Sequence, residues 1–296
     1  MNRPFVDRPV VDRAATGAVA RRYADLWDLG PLSVLRHGMN SSYLADGLVV
    51  RVGWSTAPAA SAHALANWLW ECGVPTIRPV DGLVADVDGM AVTVWEFVPD
   101  SGREPDWRSV GEIVRHVHSL DPAAVPSGYP VPSPTAFPWW DFDAMIDEVG
   151  ELIDRRAMDG LVSVIERNRG WEAGVESDLV LCHGDIHPGN VVMSADGPVL
   201  MDWDLLCTAN PAWDHAMLST IAERWGGDSA VYSDFVTGYG RGAVDDDIVH
   251  RLGSLRNVAA TLMRVGAGRN DEAARLEAER RLAYWRGEST QAWRAQ

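Results

Sequence analysis

The sequence predicts a mixed α/β (α+β) protein with two structural units, a small β-rich N-terminal unit over residues 1–97 and a larger, mainly helical unit over residues 98–296. In the first third of the chain, short apolar runs are separated by the turn pairs Asp46-Gly47 and Asp88-Gly89, which is typical of β-hairpins. Beyond it, apolar residues recur mostly at helical spacing, except in a strand-rich stretch at residues 179–206. A chain of 296 residues, 47% of them hydrophobic, can bury a core for two such units.

The N-terminal unit is expected to consist of strands and two helices. Strands are predicted at residues 32–36, 42–54, 83–87 and 91–97, and helices at residues 16–29 and 60–72. The second helix should end at Gly73, because glycine is favoured just past a helix C-terminus and Pro75 cannot continue the helix. Residues 95–100 run into a Pro-Asp-Ser-Gly turn and are expected to form a hinge between the units.

The second unit is expected to be helical apart from a loop and the strand-rich stretch. Helices are predicted at residues 107–120, 141–155, 161–167 and 275–286, and further helices should follow residue 206. Residues 121–138 are rich in proline and should form the loop. The helix at residues 275–286 carries a charge at nearly every second position, so we expect it to be a solvated terminal helix.

The composition argues against several classes of partner. Asp and Glu number 42 against 26 Lys and Arg, a formal net charge of -16, and no basic patch indicates a nucleic-acid partner. The acidic balance favours cationic small molecules. No apolar run is long enough to cross a bilayer, so no membrane partner is expected. The three cysteines lack paired spacing and the N-terminal residues lack a secretory apolar run, so we predict a cytoplasmic protein, a monomer or a weak homodimer.

The stretch at residues 179–206 combines apolar strands with a small set of polar side chains. One strand leads to a turn with Asp185, a second strand follows Asn190, and a third strand ends on Asp202. Because the apolar runs must be buried, these polar side chains should gather at the strand ends on one rim. A kinase needs a carboxylate that accepts the proton of the attacking hydroxyl, and oxygen ligands that hold Mg²⁺ on a triphosphate. These residue types therefore suit phosphoryl transfer.

The two parts of this stretch resemble the signature of the aminoglycoside phosphotransferase and choline kinase superfamily, whose members are distant relatives of protein kinases. The first part is His183-Gly-Asp with Asn190 five residues after the Asp, and the second is Met201-Asp-Trp-Asp. The resemblance extends over about residues 30–287 and implies a two-lobed protein-kinase-like fold, and the closing segment of the chain resembles actinobacterial-type phosphotransferases. It also implies ATP or GTP as phosphoryl donor, Mg²⁺ as cofactor and a small molecule as acceptor.

The same resemblance assigns roles to the residues of the motif. It implies that Asp185 is the catalytic base and that Asn190 and Asp202 bind Mg²⁺. Asp204 could contact a second metal ion, but we expect it to cap the turn that follows.

Residues of the N-terminal unit are implied to bind the nucleotide. Arg51 occupies the place of the lysine that pairs with the α- and β-phosphates in the superfamily, and Ser41 and Ser42 should lie in the loop over the phosphates. Glu96 and Val98 should offer backbone groups of the hinge to the purine. Such groups can read adenine or guanine, so ATP is the default and GTP is an alternative.

One departure from the superfamily pattern concerns the partner of Arg51. The glutamate expected to anchor the lysine, near Ala62 or His63, is missing. Either another acid supplies the ion pair or Arg51 is positioned differently. We interpret the chain as a variant active enzyme, with a catalytically dead nucleotide-binding pseudokinase as the alternative.

A rival interpretation is a zinc hydrolase, because His183, Asp185 and His187 could supply three ligands to a catalytic zinc ion. It leaves the Asn and the second Asp of the motif without a role. In the kinase interpretation, His183 shapes the loop by hydrogen bonding, and Asp214 braces the C-terminal unit. A non-catalytic binding module would need no base, so its function should survive Asp185→Asn.

The acceptor is predicted to be a hydroxyl-bearing compound, an aminoglycoside-like antibiotic or an amino sugar. The acidic helix after residue 141 carries Asp143 and Asp147, which could hold the amines of such a compound, although such helices are most often only a solvated face. Trp139 and Trp140 could stack on a sugar or form a packed helix start. A housekeeping kinase for a sugar or an amino alcohol is the alternative.

Overall fold

The computed structural model describes residues 12–54 and 56–294, and the chain divides into two compact units. The sheet unit comprises Met1–Asp106, Leu120–Val131 and Pro188–Leu205, and the helical unit comprises Trp107–Ser119, Pro132–His187 and Leu206–Gln296. The predicted lobes, residues 1–97 and 98–296, stay a prediction beside this division. The first eleven residues, on which the absence of a secretory signal was partly judged, lie outside the described part of the chain. Every helix within that part is too short or too polar to cross a membrane.

The sheet unit is built on five antiparallel strands and two helices. The strands are β1 Ser33–His37, β2 Ser41–Ala45, β3 Leu48–Trp54, β4 Pro79–Val87 and β5 Met90–Glu96, and the helices are α1 Arg13–Leu26 and α2 Ala59–Glu71. The strand order is β1-β2-β3-β5-β4. Both predicted hairpins are confirmed: Asp46, Gly47, Asp88 and Gly89 all have positive φ, as a two-residue type I′ turn requires.

The core of this sheet is formed by alternate residues of its central strands. Val50 and Val52 on β3, Val92 and Val94 on β5, and Ala20 on α1 are fully buried. This alternation leaves the intervening residues of β3 and β5 on the opposite face of the sheet, which is how Arg51 comes to point away from the core.

A second hairpin belongs to the sheet unit. It consists of β7 Val191–Ser194 and β8 Gly197–Leu200, with Val191 opposite Leu200. The Leu200 amide donates to the Pro75 carbonyl at 2.9 Å, and the Met201 amide donates to the Asn190 carbonyl at 3.1 Å. These bonds fix the open end of the hairpin, where Asn190 precedes one strand and Asp202 follows the other.

The helical unit contains nine helices and two short strands among its described residues. The helices are α3 Trp107–His118, α4 Phe142–Val149, α5 Arg155–Arg167, α6 Trp171–Val175, α7 Ala212–Ser219, α8 Ile221–Arg224, α9 Ala230–Tyr239, α10 Asp246–Ala267 and α11 Glu272–Trp285; the strands are β6 Val180–Cys182 and β9 Cys207–Ala209. β6 and β9 pair antiparallel. α10 is the longest helix, and it packs against α4, α5, α7 and α11.

The single helix predicted at residues 141–155 is wrong. α4 ends at Val149, a 3₁₀ turn follows at Gly150–Leu152, and a new helix, α5, begins at Arg155. Asp154 causes the restart, because its carboxylate accepts hydrogen bonds from the Arg156 and Ala157 amides, both at 3.0 Å, as an N-cap.

The helix predicted at residues 275–286 is confirmed as α11, but the prediction that it is solvated is wrong, because α11 buries one face. Glu277 and Arg281 are both buried, and Arg281 Nε lies 3.1 Å from Glu277 Oε1. The Arg281 guanidinium also lies over the rings of Trp225 and Trp293, at 4.9 Å and 5.3 Å from their centroids. An ion pair and aromatic faces therefore allow charged residues to lie in the core here.

Candidate active site

Asp185, the predicted catalytic base, belongs to the helical unit and lies just beyond the end of β6. Arg256, on α10, forms an ion pair with Asp185 Oδ1 and also donates to the Gly184 carbonyl at 3.3 Å. His187 Nε2 lies 3.4 Å from Asp185 Oδ2. Burial by itself raises the pKa of Asp185, but the hydrogen bond from His187 and the charge of Arg256 outweigh it, so the pKa lies well below its usual range. Asp185 is therefore an ionised carboxylate that can accept a proton only from a group brought close to it.

Asp214, which was predicted to brace the C-terminal unit, holds the turn that carries Asp185. Its carboxylate accepts from the His183 and Gly184 amides, both at 2.8 Å, and it lies 3.0 Å from His118 Nε2. Asp214 is almost completely buried. Burial raises the pKa of Asp214, but the hydrogen bond from His118 and the charge of His118 outweigh this effect. The pKa of Asp214 is therefore lowered, and this carboxylate stays ionised. The turn that carries Asp185 is therefore held in place by the buried, ionised Asp214.

His183 also shapes this loop, as predicted, since its Nδ1 accepts from the Asp185 amide at 3.2 Å. Within the described residues, the side chains close enough to share a metal ion are His118, Cys182 and Asp214, rather than the zinc set of the rival interpretation. Burial raises the pKa of the Cys182 thiol well above its usual value, so it would stay protonated and bind a metal ion poorly.

Asn190 and Asp202 lie together in the sheet unit, at the open end of the hairpin β7–β8. Asn190 is buried, and its backbone carbonyl is bonded to the residue before Asp202. Asp202 has φ of +65°, a left-handed conformation that is unusual away from a two-residue hairpin turn. The side chains offer hard oxygen donors, which are the ligands that Mg²⁺ prefers. This donor set fits the ion that the motif predicts.

Arg51, on β3, is surrounded by oxygen acceptors. Its Nη2 lies 3.1 Å from Asp202 Oδ1 and 2.5 Å from Asp204 Oδ2, and its Nη1 lies 3.4 Å from Asp204 Oδ1. In the amide orientation that satisfies both groups, Asn40 Oδ1 accepts from Arg51 Nε at 3.1 Å. Burial lowers the pKa of Arg51, but the charges of Asp204 and Asp202 raise it above its usual value, so Arg51 stays a cation.

Asp204 therefore has a different environment from the predicted one. It lies in a 3₁₀ turn, Trp203–Leu205, and its carboxylate pairs with Arg51 instead of capping the segment that follows. This contact also answers the question left open by the missing glutamate near Ala62 and His63: another acid supplies the ion pair.

A pocket opens on the face of the sheet unit that carries Arg51. Its lining includes Asn40, Arg51, Ala62, Trp95, Tyr129 and Asp204. Tyr129 donates from its hydroxyl to the Trp203 carbonyl at 2.8 Å, so a residue of the proline-rich loop forms part of the wall. The pocket combines one cation with aromatic and small side chains, a lining that suits a nucleotide.

The predicted purine-binding segment follows β5. Glu96 is the last residue of β5, and its amide donates to the Arg78 carbonyl at 2.9 Å. Val98 lies beyond the strand, and its amide has no hydrogen-bond partner within the described residues. Val98 can thus offer a donor, whereas the Glu96 amide is already in use. The binding of a purine by either residue stays a prediction.

Ser41 and Ser42 are the first two residues of β2, so the predicted location in a loop is wrong. The turn before β2 is formed by residues 38–40. Ser41 is buried, and its hydroxyl lies 3.1 Å from Thr16 Oγ1 and 3.0 Å from His37 Nδ1. Ser42 is half-buried and pairs with Arg51 across the strands. Their contact with phosphates stays a prediction, and the environment of Ser42 favours it more than that of Ser41.

The predicted acceptor residues have mixed environments. Asp143 and Asp147 are exposed on α4. Trp140 is buried against Trp171 and Trp213, with ring centroids 4.9 Å and 4.4 Å apart. Trp140 is thus a core residue and not a stacking platform, whereas contact of the two aspartates with an acceptor stays a prediction.

Three residues of these surroundings were not identified from the sequence as site residues: Asn40, Tyr129 and Arg256. Asn40 lies in a polar turn between two strands, which is the one available signal. Arg256 and Asp185 are 71 residues apart in sequence, and nothing in the pattern of α10 links the two.

Comparisons with known proteins agree with this description. The model of the phosphotransferase enzyme family (APH) matches residues 12–252. The aminoglycoside 3'-phosphotransferase of Streptomyces fradiae is 27% identical over 155 residues, which are 46% of this chain and 56% of that protein. The uncharacterised protein YcbJ of Bacillus subtilis (strain 168) is 27% identical over 137 residues, 43% of this chain and 42% of that protein. The chain thus matches about half the length of these curated relatives.

Solved structures share the fold. Spectinomycin phosphotransferase APH(9)-Ia, in complex with ADP and spectinomycin, has a TM-score of 0.69 at 16% identity, covering 90% of this chain and 94% of that chain. APH(2")-IIia with GDP and kanamycin has a TM-score of 0.69 at 16% identity over 94% and 100%. A choline/ethanolamine kinase family protein from Mesorhizobium loti has a TM-score of 0.66 at 18% identity over 92% and 94%. The likeness confirms the predicted α/β fold class.

Proposed function

This chain belongs to the phosphotransferase enzyme family, and we propose that it transfers the γ-phosphoryl group of ATP or GTP to a hydroxyl group of a small molecule. The predicted family and the predicted class of enzyme are thereby confirmed. The observation that carries the reaction is the environment of Asp185, a carboxylate kept ionised by Arg256 and His187 in a motif followed by Asn190 and Asp202.

In the proposed reaction, Asp185 orients the acceptor hydroxyl and takes its proton. The hydroxyl oxygen forms a bond to the γ-phosphorus, the bond from that phosphorus to the β–γ bridging oxygen breaks, and ADP or GDP leaves. The low pKa of Asp185 makes it a weak base, so its main contribution is to orient the hydroxyl and to receive the proton late. Asp214 supports this by holding the turn rigid through two backbone amides.

Asn190 and Asp202 are the residues that would hold Mg²⁺. When bound, the ion neutralises charge on the β- and γ-phosphates. The left-handed backbone of Asp202 supports this assignment, because strained non-glycine residues persist where a side chain must point in one direction.

Arg51 and the hinge bind the nucleotide in this proposal. Arg51 supplies a cation to the phosphates, and Ser42 lies beside it on the neighbouring strand. The Val98 amide supplies a hydrogen-bond donor to the purine edge. A backbone donor of this kind serves adenine and guanine, and relatives of this fold have been solved with ADP and with GDP, so both donors belong in the test.

The acceptor we propose is a cationic, hydroxylated compound, an aminoglycoside-like antibiotic or an amino sugar. Its support is the formal net charge of -16 and the names of the relatives, which include an aminoglycoside 3'-phosphotransferase. Asp143 and Asp147 are exposed carboxylates on α4 that can attract amines.

A phosphotransfer screen tests the function and the acceptor together. The chain is incubated with Mg²⁺ and ATP or GTP and with aminoglycosides, nucleoside antibiotics, amino sugars, choline or neutral sugars, and both nucleoside diphosphate and phosphorylated product are measured. We expect product from a cationic acceptor, and Asp143→Asn should raise the KM of that acceptor by a factor of about 1.4 to 5, as the loss of one exposed ion pair would. Asp159→Asn, an exposed aspartate on α5, is the matched control.

Two outcomes contradict these proposals separately. Product from neutral acceptors alone, with an unchanged KM in Asp143→Asn, removes the cationic acceptor and favours a housekeeping metabolite kinase. Nucleotide binding without transfer to any acceptor, unaltered by Asp185→Asn, removes the enzymatic function and favours a pseudokinase.

A further inference from the structure

The helix that faces the site of Arg51 offers this arginine no carboxylate. α2 contains a single acid, Glu71, which is its last residue. His63 lies in the middle of α2, is buried, and contacts Trp95 with ring centroids 5.0 Å apart. Burial lowers the pKa of His63 to about 4, so the ring is neutral near pH 7. Arg51 must therefore be anchored by another element.

Asp204 provides a geometry that suits an arginine. Its two oxygens face the two terminal nitrogens of Arg51, at 2.5 Å and 3.4 Å. A guanidinium presents such a pair of donors in a fixed fork, and a lysine ammonium does not. Asp202 contributes one oxygen to the same guanidinium, at 3.1 Å, so its contact is the easier of the two to exchange.

The turn that carries Asp204 is rigid. Trp203, between Asp202 and Asp204, is buried; its indole N–H donates to Thr76 Oγ1 at 2.7 Å, and its carbonyl accepts from the Tyr129 hydroxyl at 2.8 Å. One buried tryptophan thus fixes the two carboxylates on either side of it. An anchor for Arg51 at this place is preorganised by the same turn that positions Asp202.

We propose that Asp204 is the positioning residue for Arg51 and takes the place of the carboxylate that α2 lacks. The proposal rests on the proposed function, in which Arg51 binds the nucleotide phosphates. When a nucleotide binds, the phosphates replace Asp202 and Asn40 as partners of Arg51, and Asp204 keeps its two-point contact. Asp202 then becomes available as an oxygen donor.

Calorimetric titration with ATP and GTP, with Mg²⁺ and with EDTA in place of Mg²⁺, tests this role. We expect Asp204→Asn to weaken binding about tenfold under both conditions, because the asparagine can accept a hydrogen bond but carries no charge. Asp196→Asn, in the exposed turn between β7 and β8, is the matched control and should bind as the unmodified chain does. Thermal unfolding of each variant checks that it is folded.

A double-mutant cycle separates positioning from metal binding. If Asp204 acts through Arg51, Asp204→Asn has no further effect in an Arg51→Met background. If Asp204 acts only as a metal ligand, its effect disappears in EDTA and persists with Mg²⁺ in the Arg51→Met background, which overturns the proposal.

Relocation of the carboxylate gives a second, independent readout. Ala62, on α2, lines the same pocket as Arg51 and Asp204. Adding Ala62→Glu to Asp204→Asn should therefore restore part of the lost affinity for the nucleotide. The same substitution should restore none of it when Arg51→Met is also present. Unchanged binding by Asp204→Asn overturns this inference alone, whereas failure of the unmodified chain to bind either nucleotide overturns the proposed function and this inference with it.

Discussion

Each unit of the molecule pairs an arginine with carboxylates of the candidate site, but the two arrangements differ in which charged group is in the minority. In the helical unit, Asp185 faces Arg256 and His187, so a carboxylate is surrounded by nitrogen donors. In the sheet unit, Arg51 faces Asp202 and Asp204, so a cation is surrounded by carboxylates. The group in the minority, Asp185 in one unit and Arg51 in the other, keeps its charge. In our proposal, this group is the one that contacts substrate.

The comparison also shows how each pair is kept in place. Arg256 is tied to the backbone of the loop that it serves, through the Gly184 carbonyl at 3.3 Å. Asp204 is tied to its neighbours through the buried Trp203. Arg256 and Asp204, the supporting partners in our proposal, are thus each connected to the rest of their own unit. Variants that change only the supporting partner, or only the group that it supports, test whether the two units work in this way.

The largest expected effect is that of Asp185→Asn. Without a general base, kcat should fall by about 10²–10⁴-fold, while the dissociation constant for the nucleotide should stay within a factor of about two. Steady-state kinetics with the best acceptor from the screen measures the first quantity, and calorimetry measures the second. Asp178→Asn, an exposed residue just before β6, is the matched control. Full activity in Asp185→Asn would contradict the assignment of the base.

The next effect concerns Arg256. Arg256→Gln removes a positive charge from Asp185, so burial and the remaining partners determine its pKa, which should rise. Since the ionised form is the active one, the acid limb of the kcat profile should move to higher pH, and kcat at a pH below this limb should fall about tenfold for each pH unit that the limb moves.

Arg256→Lys distinguishes the charge from a packing contribution. It keeps the charge and should return the acid limb towards its original position, because the limb follows the charge beside Asp185. Arg251→Gln, on the same helix, serves as the control. A pH profile that does not move in Arg256→Gln would show that the arginine only packs against the loop.

The smallest effect concerns His63, the neutral residue on α2 that leaves Arg51 without a partner there. Its pKa in the folded protein is about 4, below the value of about 6.5 in an unfolded chain, so the unfolded state binds more protons between these values. Its contribution to stability is therefore complete above about pH 6.5 and is lost as the pH falls towards 4.

Protonation of His63 in the unfolded state should lower the free energy of unfolding by on the order of 2 kcal/mol as the pH falls, and His63→Leu should remove this loss. Urea unfolding at several pH values measures it. We expect the free energy of unfolding to change less between pH 6.5 and pH 4.5 in the variant than in the unmodified chain. An equal change in both proteins would mean that His63 is protonated in the folded state, and would make α2 a charged neighbour of Arg51.

Much of the fold could be predicted because the deciding signals are local. The Asp46-Gly47 and Asp88-Gly89 turns determine two hairpins within a few residues of sequence. The motif from His183 to Asp204 is also local, and hydrogen bonds within the β7–β8 hairpin bring Asn190 next to Asp202 as the pattern indicates.

The remainder could not be predicted because it depends on distant contacts. Arg51 and Asp204 are 153 residues apart, and an acid after a strand can equally well cap a turn. α11 has the alternating charges of a solvated helix, and the burial of Arg281 depends on Trp225 and Trp293, which lie elsewhere in the sequence, as well as on Glu277 of the same helix. The helix break before α5 did have a signal, because Gly150 and Asp154 are respectively a helix-ending and a helix-starting residue.

The division of the chain into two units determines which fragments of the protein can contain a complete unit. The chain passes from one unit to the other after residues 106, 119, 131, 187 and 205, so neither unit is a continuous segment. A fragment that ends at the predicted hinge would contain β1–β5 but would lack the β7–β8 hairpin and the acid that pairs with Arg51. Contacts between such distant segments form late and slowly in folding. An N-terminal fragment therefore cannot contain the whole sheet unit, and the ion pair of Arg51 with Asp204 is completed only after about two thirds of the chain has been synthesised.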